Sequence, residues 1–99
     1  MKDYDAGGNI SSAVNLLKAL SNERRLKIVS TLYEGEKCVS ELEQVVGLSQ
    51  SALSQHLARL RRDEIVTTRR SAQTIYYSLQ DSATKKVLAC LYEVFCPGG

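Results

Sequence analysis

The sequence has no long apolar run and few cysteines, and these shortages exclude whole classes of protein. No apolar run approaches the roughly 20 residues that span a bilayer. The opening residues, MKDYDAGGNISS, have no basic segment followed by an apolar one, so we expect no membrane contact and no secretory signal. Three irregularly spaced cysteines, Cys38, Cys90 and Cys96, are unlike a secreted disulfide framework. We expect reduced thiols and a cytoplasmic protein.

Catalytic groups are equally scarce. His56 is the only histidine, and the chain shows no glycine-rich phosphate loop and no evident pair of carboxylates. A nucleophile, a base and a group that orients the base cannot be assembled from such a set. We therefore expect a protein that is not an enzyme and that holds no metal or cofactor.

Length and charge indicate one small domain with a basic surface. Ninety-nine residues make one domain, in which residues 1–8 are expected to be flexible and residues 9–96 folded. The net charge is +2, but residues 59–70 hold five arginines against two acidic residues, a local charge of +3. Such a face suits a polyanion such as double-stranded DNA, although an ordinary solvated face explains the charge alone equally well.

Apolar spacing predicts two helices at the start of the chain. The first has a broad apolar face and begins at Asn9 or Ser11. The second is capped by Ser21 or Asn22 and ends near Gly35.

A third helix, a glycine turn and a fourth helix then form a helix-turn-helix pattern. The third helix opens at Cys38 or Ser40, Gly47 ends it, and Ser49 caps the fourth. Leucines at i, i+4 and i+7 attach the fourth helix to the core, namely Leu53, Leu57 and Leu60. This phase leaves four polar side chains facing outward: Gln50, Ser51, Ser54 and Gln55. Their groups both donate and accept, so they suit base edges, although Gln50 and Ser51 can instead support the helix start.

Residues 65–70 and 73–79 are rich in Val, Ile, Thr and Tyr and predict a two-stranded wing. Its turn, Ser71-Ala72, lacks the expected glycine. The candidate contacts to the DNA backbone are Arg61, Arg62, Arg69, Arg70 and Gln73. Arg59 is a less certain phosphate contact because an acidic neighbour can pair with it. His56 is interpreted as a packing residue, with a DNA contact as the alternative.

The last helix, capped by Asp81 or Ser82, is apolar nearly all round between residues 87 and 96. The first helix has the same excess, and one small core cannot cover every face of both. We expect a homodimer that pairs these two helices across a two-fold axis. The predicted fold class is mainly α with a small β-hairpin, a winged helix-turn-helix.

Three stretches resemble the ArsR/SmtB family of bacterial repressors: LLKALSNERRLKIVSTL, VSELEQVVGLSQSALSQHLARLRRDEIVTTRR and AQTIYYSL. Their order and lengths fit over residues 16–79, and within the family they most resemble the branch of HlyU, BigR and NolR. The resemblance implies a dimeric winged helix that binds an inverted-repeat operator, with Gln50, Ser51 and Gln55 reading DNA. The chain departs from the family at Glu64, where relatives often have glycine.

The resemblance also gives the cysteines candidate roles. Cys96 matches a cysteine of persulfide- and redox-sensing relatives, but Ser30 stands where its partner is expected, which leaves Cys38 as the substitute in a thiol sensor. EKCVSEL resembles a metalloid-sensor motif that keeps only its first cysteine. As(III) favours three thiolates, so Cys38 would need help from Cys90 or Cys96. For each cysteine alone, a small buried hydrophobic residue is the simpler interpretation. The zinc site of other relatives is absent.

The sequence therefore predicts a homodimeric transcription repressor that binds an operator, with a thiol response to persulfide or oxidants as the effector hypothesis. Two alternatives stay open at this point, an As(III)-responsive repressor and a regulator without a small-molecule inducer. A winged helix that binds protein ranks lower, because such modules usually lose the polar recognition residues and the basic wing that this chain keeps.

Overall fold

The computed structural model describes residues 9–80 and 82–96, so the flexible N-terminus expected for residues 1–8 and a cap at Asp81 lie outside it. The elements in chain order are α1 (Asn9–Leu20), α2 (Glu23–Tyr33), β1 (Lys37–Cys38), α3 (Val39–Val46), α4 (Gln50–Arg62), β2 (Val66–Ser71), β3 (Thr74–Leu79) and α5 (Ser82–Phe95). The predicted winged helix-turn-helix is confirmed. Among the described residues, no helix is both long and apolar enough to cross a membrane.

Side-chain caps fix where α2 and α4 begin. The Asn22 side chain accepts hydrogen bonds from the backbone N–H groups of Arg24 and Arg25, both at 3.0 Å. Ser49 accepts one from the N–H of Ala52 at 3.3 Å. Each bond satisfies a donor that the first turn of a helix leaves without an internal partner.

The helix-turn-helix depends on the two ends of α3. Cys38, and not Ser40, is the N-cap, and its N–H donates to the Glu41 carboxylate at 2.9 Å. Gly47 ends the helix with φ +74°, a left-handed conformation that glycine adopts without steric cost. Three residues later α4 begins, so the turn holds the two helices in a fixed relation.

The sheet has three antiparallel strands in the order β1-β3-β2. The prediction of a two-stranded wing was therefore incomplete. The two-residue strand Lys37–Cys38 pairs with Tyr77 and Tyr76 of β3, and it is too short to show a period in the sequence. The wing turns at Ala72 and Gln73, one position later than predicted, because Ser71 still pairs with Thr74.

The core lies between α2, α3, α4 and the base of the wing. It is built from aliphatic side chains, which include Ile28, Val29, Leu42, Leu53, Leu57, Leu60, Val66 and Leu88. By contrast, α1 and α5 each leave an apolar stripe uncovered in the protomer. The stripe of α1 consists of Ile10, Val14 and Leu17, and the exposed apolar residues of α5 are Val94 and Phe95.

Within residues 9–80 and 82–96, two residues other than glycine have positive φ, Glu64 at 60° and Ala72 at 56°. An L-residue in this conformation brings its Cβ close to the backbone. We expect Ala72→Gly to stabilise the protein by about 0.5–1 kcal/mol, measured as the free energy of unfolding in urea. Ala58→Gly, in the middle of α4, is the matched control and should destabilise by about 1 kcal/mol. Equal signs for the two changes would contradict the assignment of strain to the wing turn.

Candidate nucleic-acid interface

The first two turns of α4 present a row of small polar side chains to solvent. Leu53, Leu57 and Leu60 are buried, which fixes the rotation of the helix about its axis. All four predicted base-reading residues are consequently exposed: Gln50, Ser51, Ser54 and Gln55. The amide and hydroxyl groups on this face can each donate and accept hydrogen bonds, as contacts to base edges require.

A cleft separates the C-terminal half of α4 from the wing. Its volume is about 360 Å³, and it is lined by Ser54, Leu57, Ala58, Arg61, Arg62 and Tyr77. Arg61 and Arg62 are exposed there, and Arg62 lies 3.7 Å from the carboxylate of Asp63. Arg59 pairs with the same carboxylate at 3.4 Å, as the sequence indicated. The structure thus brings two predicted phosphate contacts next to the polar face of α4.

The two arginines of the wing, Arg69 and Arg70, have different surroundings. Arg70 is exposed, as is Gln73 in the turn. Arg69 instead donates two hydrogen bonds of 2.8 Å to the two carboxylate oxygens of Glu36. Its guanidinium carbon also lies 4.6 Å from the centre of the Tyr76 ring. The hydrogen bonds and charge of Glu36 raise the pKa of Arg69 above its ordinary value.

Sequence reasoning missed three residues that shape this face. Arg24 donates to the carbonyl of Val46 at 3.1 Å, and so ties the start of α2 to the end of α3. Arg25 donates to the carbonyl of Ala19 at 2.7 Å. The position of Arg24 and Arg25 directly after a helix cap was a sequence signal for such contacts. No sequence signal indicated the role of Glu36, because its partner Arg69 is 33 residues away.

His56 is half-buried in the middle of α4, a position in keeping with a packing role. Partial burial lowers its pKa below the usual 6.5, and the positive charges of Arg25 and then Arg24 lower it further. The neutral imidazole is therefore the form that the folded protein favours.

We expect the unfolding free energy to decrease as the pH falls below about 6.5, because the unfolded chain then binds a proton that folded His56 resists. The contribution is complete above the unfolded pKa and is lost as the pH falls toward the folded pKa. Urea unfolding between about pH 7.5 and pH 5 measures it. His56→Gln should flatten this slope, and an unchanged slope would rule out His56 as its source. The lowered pKa of Glu41 acts in a separate window below 4.5.

The three cysteines occupy three different surroundings. Cys38 lies beside β3 in a cavity lined by Val39, Ser40, Gln73, Thr74 and Ile75. Cys96 is exposed and lines another cavity, of about 240 Å³, which includes Ser30, Leu26, Leu88, Leu91, Tyr92 and Phe95. Cys90 and Cys96 are both exposed, so the interpretation as a small residue buried within the protomer does not hold for either of them. Ser30 and Cys96 share a cavity, as the resemblance implied for the sensor positions.

This arrangement bears on both ligand hypotheses. Cys38 and Cys96 line different cavities, so the described part of one protomer does not place the two thiols in a common site. Residues 9–80 and 82–96 contain no group of three or more His, Cys, Asp or Glu side chains that could hold a metal ion. Three thiolates for As(III) are therefore not assembled within that part of the protomer.

Comparison with known proteins gives consistent results. A family model described as bacterial regulatory protein, arsR family, matches residues 22–68. The transcriptional activator HlyU of Vibrio cholerae is 50% identical over 88 residues, which cover 89% of this chain and 82% of the relative. The biofilm growth-associated repressor of Xylella fastidiosa is 45% identical over 96 residues, 97% of this chain and 84% of the relative.

Solved structures agree with the sequence comparisons. The structure of HlyU from Vibrio cholerae has a TM-score of 0.87 at 49% identity and covers 91% of this chain and 98% of that one. A Mycobacterium bovis protein, described as a homodimeric winged helix-turn-helix DNA-binding domain, has a TM-score of 0.80 at 26% identity. That match covers 95% of this chain and 86% of the other.

Proposed function

Since this chain belongs to the ArsR family of bacterial regulatory proteins and is a DNA-binding transcription regulator, we propose that it is a repressor whose homodimer binds an inverted-repeat operator. The observation that carries the proposal is the exposed polar face of α4 beside Arg61 and Arg62. Polar side chains on a rigid helix suit base edges, and arginines at its end suit phosphates.

The position of each residue on α4 or on the wing indicates which part of the DNA it contacts. Gln50, Ser51, Ser54 and Gln55 read bases in the major groove, and Arg61 and Arg62 hold the phosphates that flank it. Arg70 and Gln73 extend the contact through the wing, with Gln73 near enough to the tip for the minor groove. Phosphate contacts supply affinity for any sequence, and the glutamines and serines supply the preference for the operator.

The uncovered stripes of α1 and α5 support the homodimer. Ile10, Val14 and Leu17 recur at helical spacing, and Val94 and Phe95 extend an apolar surface at the end of α5. A two-fold axis between copies of these stripes buries both at once and sets two α4 helices to face one side. Two half-sites about one helical turn apart, in opposite orientation, are the DNA that such a dimer fits.

Gln55→Ala tests the base-reading role. We expect operator binding to weaken by about 1–3 kcal/mol per half-site, because alanine cannot make the two hydrogen bonds that an amide side chain forms with a base. Binding to unrelated DNA should change little. The measurement is fluorescence anisotropy on an operator selected from random sequence, with an unrelated duplex beside it. Gln44→Ala, exposed on α3, is the matched control. An equal loss on both duplexes would remove Gln55 from sequence recognition.

For the effector we propose thiol chemistry at Cys96. This thiol is exposed at the end of α5 and shares a cavity with Ser30, between α2 and the helix that forms the proposed interface. A polysulfide can transfer one sulfur to the thiolate, which leaves a persulfide and a polysulfide shorter by one sulfur. A bulkier, charged group there favours a different dimer geometry, and DNA affinity falls by that difference.

Mass spectrometry and operator affinity on the same sample test the effector proposal. Polysulfide should add sulfur to Cys96 and weaken binding by about tenfold, a coupling of about 1.4 kcal/mol. Cys96→Ser should abolish the response, with Cys90→Ser as the matched control on the same helix. Unchanged affinity despite modification would leave a regulator without this inducer, and a response only to As(III) would restore the metalloid alternative.

A further inference from the structure

Arg69 connects the two strands of the wing to the residue that precedes β1. It lies on β2 directly opposite Tyr76 of β3, and paired residues in antiparallel strands project from the same face. Its guanidinium covers the Tyr76 ring and continues to Glu36, the residue before β1. Both carboxylate oxygens are used, each at 2.8 Å. A single side chain therefore extends from the wing across the middle strand to the body of the protein.

Strand register places Arg69 and Arg70 on opposite faces of the wing. Arg70 pairs with Ile75, and Thr68 pairs with Tyr77, so Arg70 and Tyr77 share a face. Tyr77 lines the cleft with Arg61 and Arg62. The face of Arg70 is thus the one turned toward α4. Arg69 projects from the other face, where Tyr76 and Glu36 hold it.

From this geometry we infer that Arg69 is a positioning residue: with Glu36 and Tyr76 it sets the angle of the wing, so that Arg70 and Gln73 meet the DNA. It does not itself bind a phosphate. The inference rests on the proposed DNA contacts, and it replaces the phosphate contact predicted for Arg69 with a positioning role.

Charge and geometry argue against the alternative role. The Glu36 carboxylate neutralises Arg69, so the pair adds no net attraction for a polyanion. If Arg69 left for a phosphate, Glu36 would remain unpaired next to DNA. A forked pair with a planar carboxylate fixes orientation, whereas an exposed pair of this kind adds little to stability. Since the pair adds neither attraction for DNA nor much stability, its main effect is to orient the wing.

Four variants and their salt dependence test the inference on the full chain: Glu36→Gln, Arg69→Gln, Arg69→Lys and the exchange Glu36→Arg with Arg69→Glu. We expect each single variant to weaken operator binding by the dimer about fivefold, with Arg69→Lys as weak as Arg69→Gln because lysine cannot form the fork. The exchange should recover most of the loss. The slope of log affinity against log salt concentration should stay unchanged in all four.

A phosphate-binding Arg69 gives the opposite pattern. Glu36→Gln would then strengthen binding, Arg69→Lys would keep most of it, and the exchange would weaken it most. Arg69→Gln would lower the salt slope by about 0.9 for each phosphate that Arg69 neutralises. Either that pattern or no change in any variant overturns the inference. Arg61→Gln with Arg62→Gln is the reference: if it leaves affinity and salt slope intact, the proposed DNA face itself is wrong.

Discussion

The double substitution Leu17→Glu and Val94→Glu is expected to convert the proposed homodimer to a monomer and to weaken operator binding by about 100-fold or more. In the protomer these side chains are 58% and 60% exposed, although both are large and apolar. In the dimer each glutamate would be buried without a partner charge, which costs several kcal/mol per ion. A monomer reaches one half-site only and loses the gain from binding two linked sites.

Sedimentation velocity gives the oligomeric state and anisotropy gives the affinity. Lys27→Glu is the matched control, because it changes the charge of the protomer by the same −2 on the exposed side of α2. That variant should remain a dimer. If the double variant also stays dimeric at micromolar concentration, α1 and α5 are not the interface and another surface must join the protomers.

Leu57→Ala is expected to lower the free energy of unfolding by about 2–5 kcal/mol. The side chain is only 2% exposed, in the central leucine row of α4 and at the floor of the cleft below the wing. Its removal leaves a cavity that the surrounding helices cannot fully close. Because a small domain has a total stability of about 5–15 kcal/mol, a large part of the protein's stability would be lost.

Gln55→Ala is the matched comparison, since it removes a long side chain from the same helix two residues away. It should change stability by less than about 0.5 kcal/mol and yet lose operator preference. Leu57→Ala should lower the free energy of unfolding but keep the preference for the operator over unrelated DNA, when binding is measured at a temperature where the variant is still folded. If both variants lost stability equally, the assignment of one inward and one outward face to α4 would be wrong. Urea unfolding and anisotropy on the same samples separate the two effects.

Local signals account for most of the fold. A helix cap, a glycine turn and a leucine period are each encoded within a few residues. Gly47 and the Leu53–Leu57–Leu60 row are therefore recognisable in the sequence, and the cap of α2 is narrowed to Ser21 or Asn22, of which the structure has Asn22. The exposed polar face of α4 follows directly from that row. The excess of apolar residues on α1 and α5 similarly predicts surfaces that one protomer does not cover.

Contacts between residues that are far apart in the chain were not predicted from the sequence. The strand Lys37–Cys38 has only two residues and exists because β3 supplies its partners. The Glu36–Arg69 pair joins residues 33 positions apart, so nothing in the sequence distinguishes Arg69 from the exposed Arg70 beside it. The separate cavities of Cys38 and Cys96 likewise depend on how α5 packs on α2 and how β1 meets β3.

Every element except the strand Lys37–Cys38 is predicted in its place along the chain, as are the outward face of α4 and the family of DNA-binding regulators to which the chain belongs. These properties depend on periodicity and caps, which act over one or two helical turns. Two outcomes required the folded chain: that Arg69 is held by the distant Glu36 carboxylate, and that Cys38 and Cys96 line separate cavities. Those outcomes depend on strand register and helix packing, which bring together residues that the chain keeps far apart.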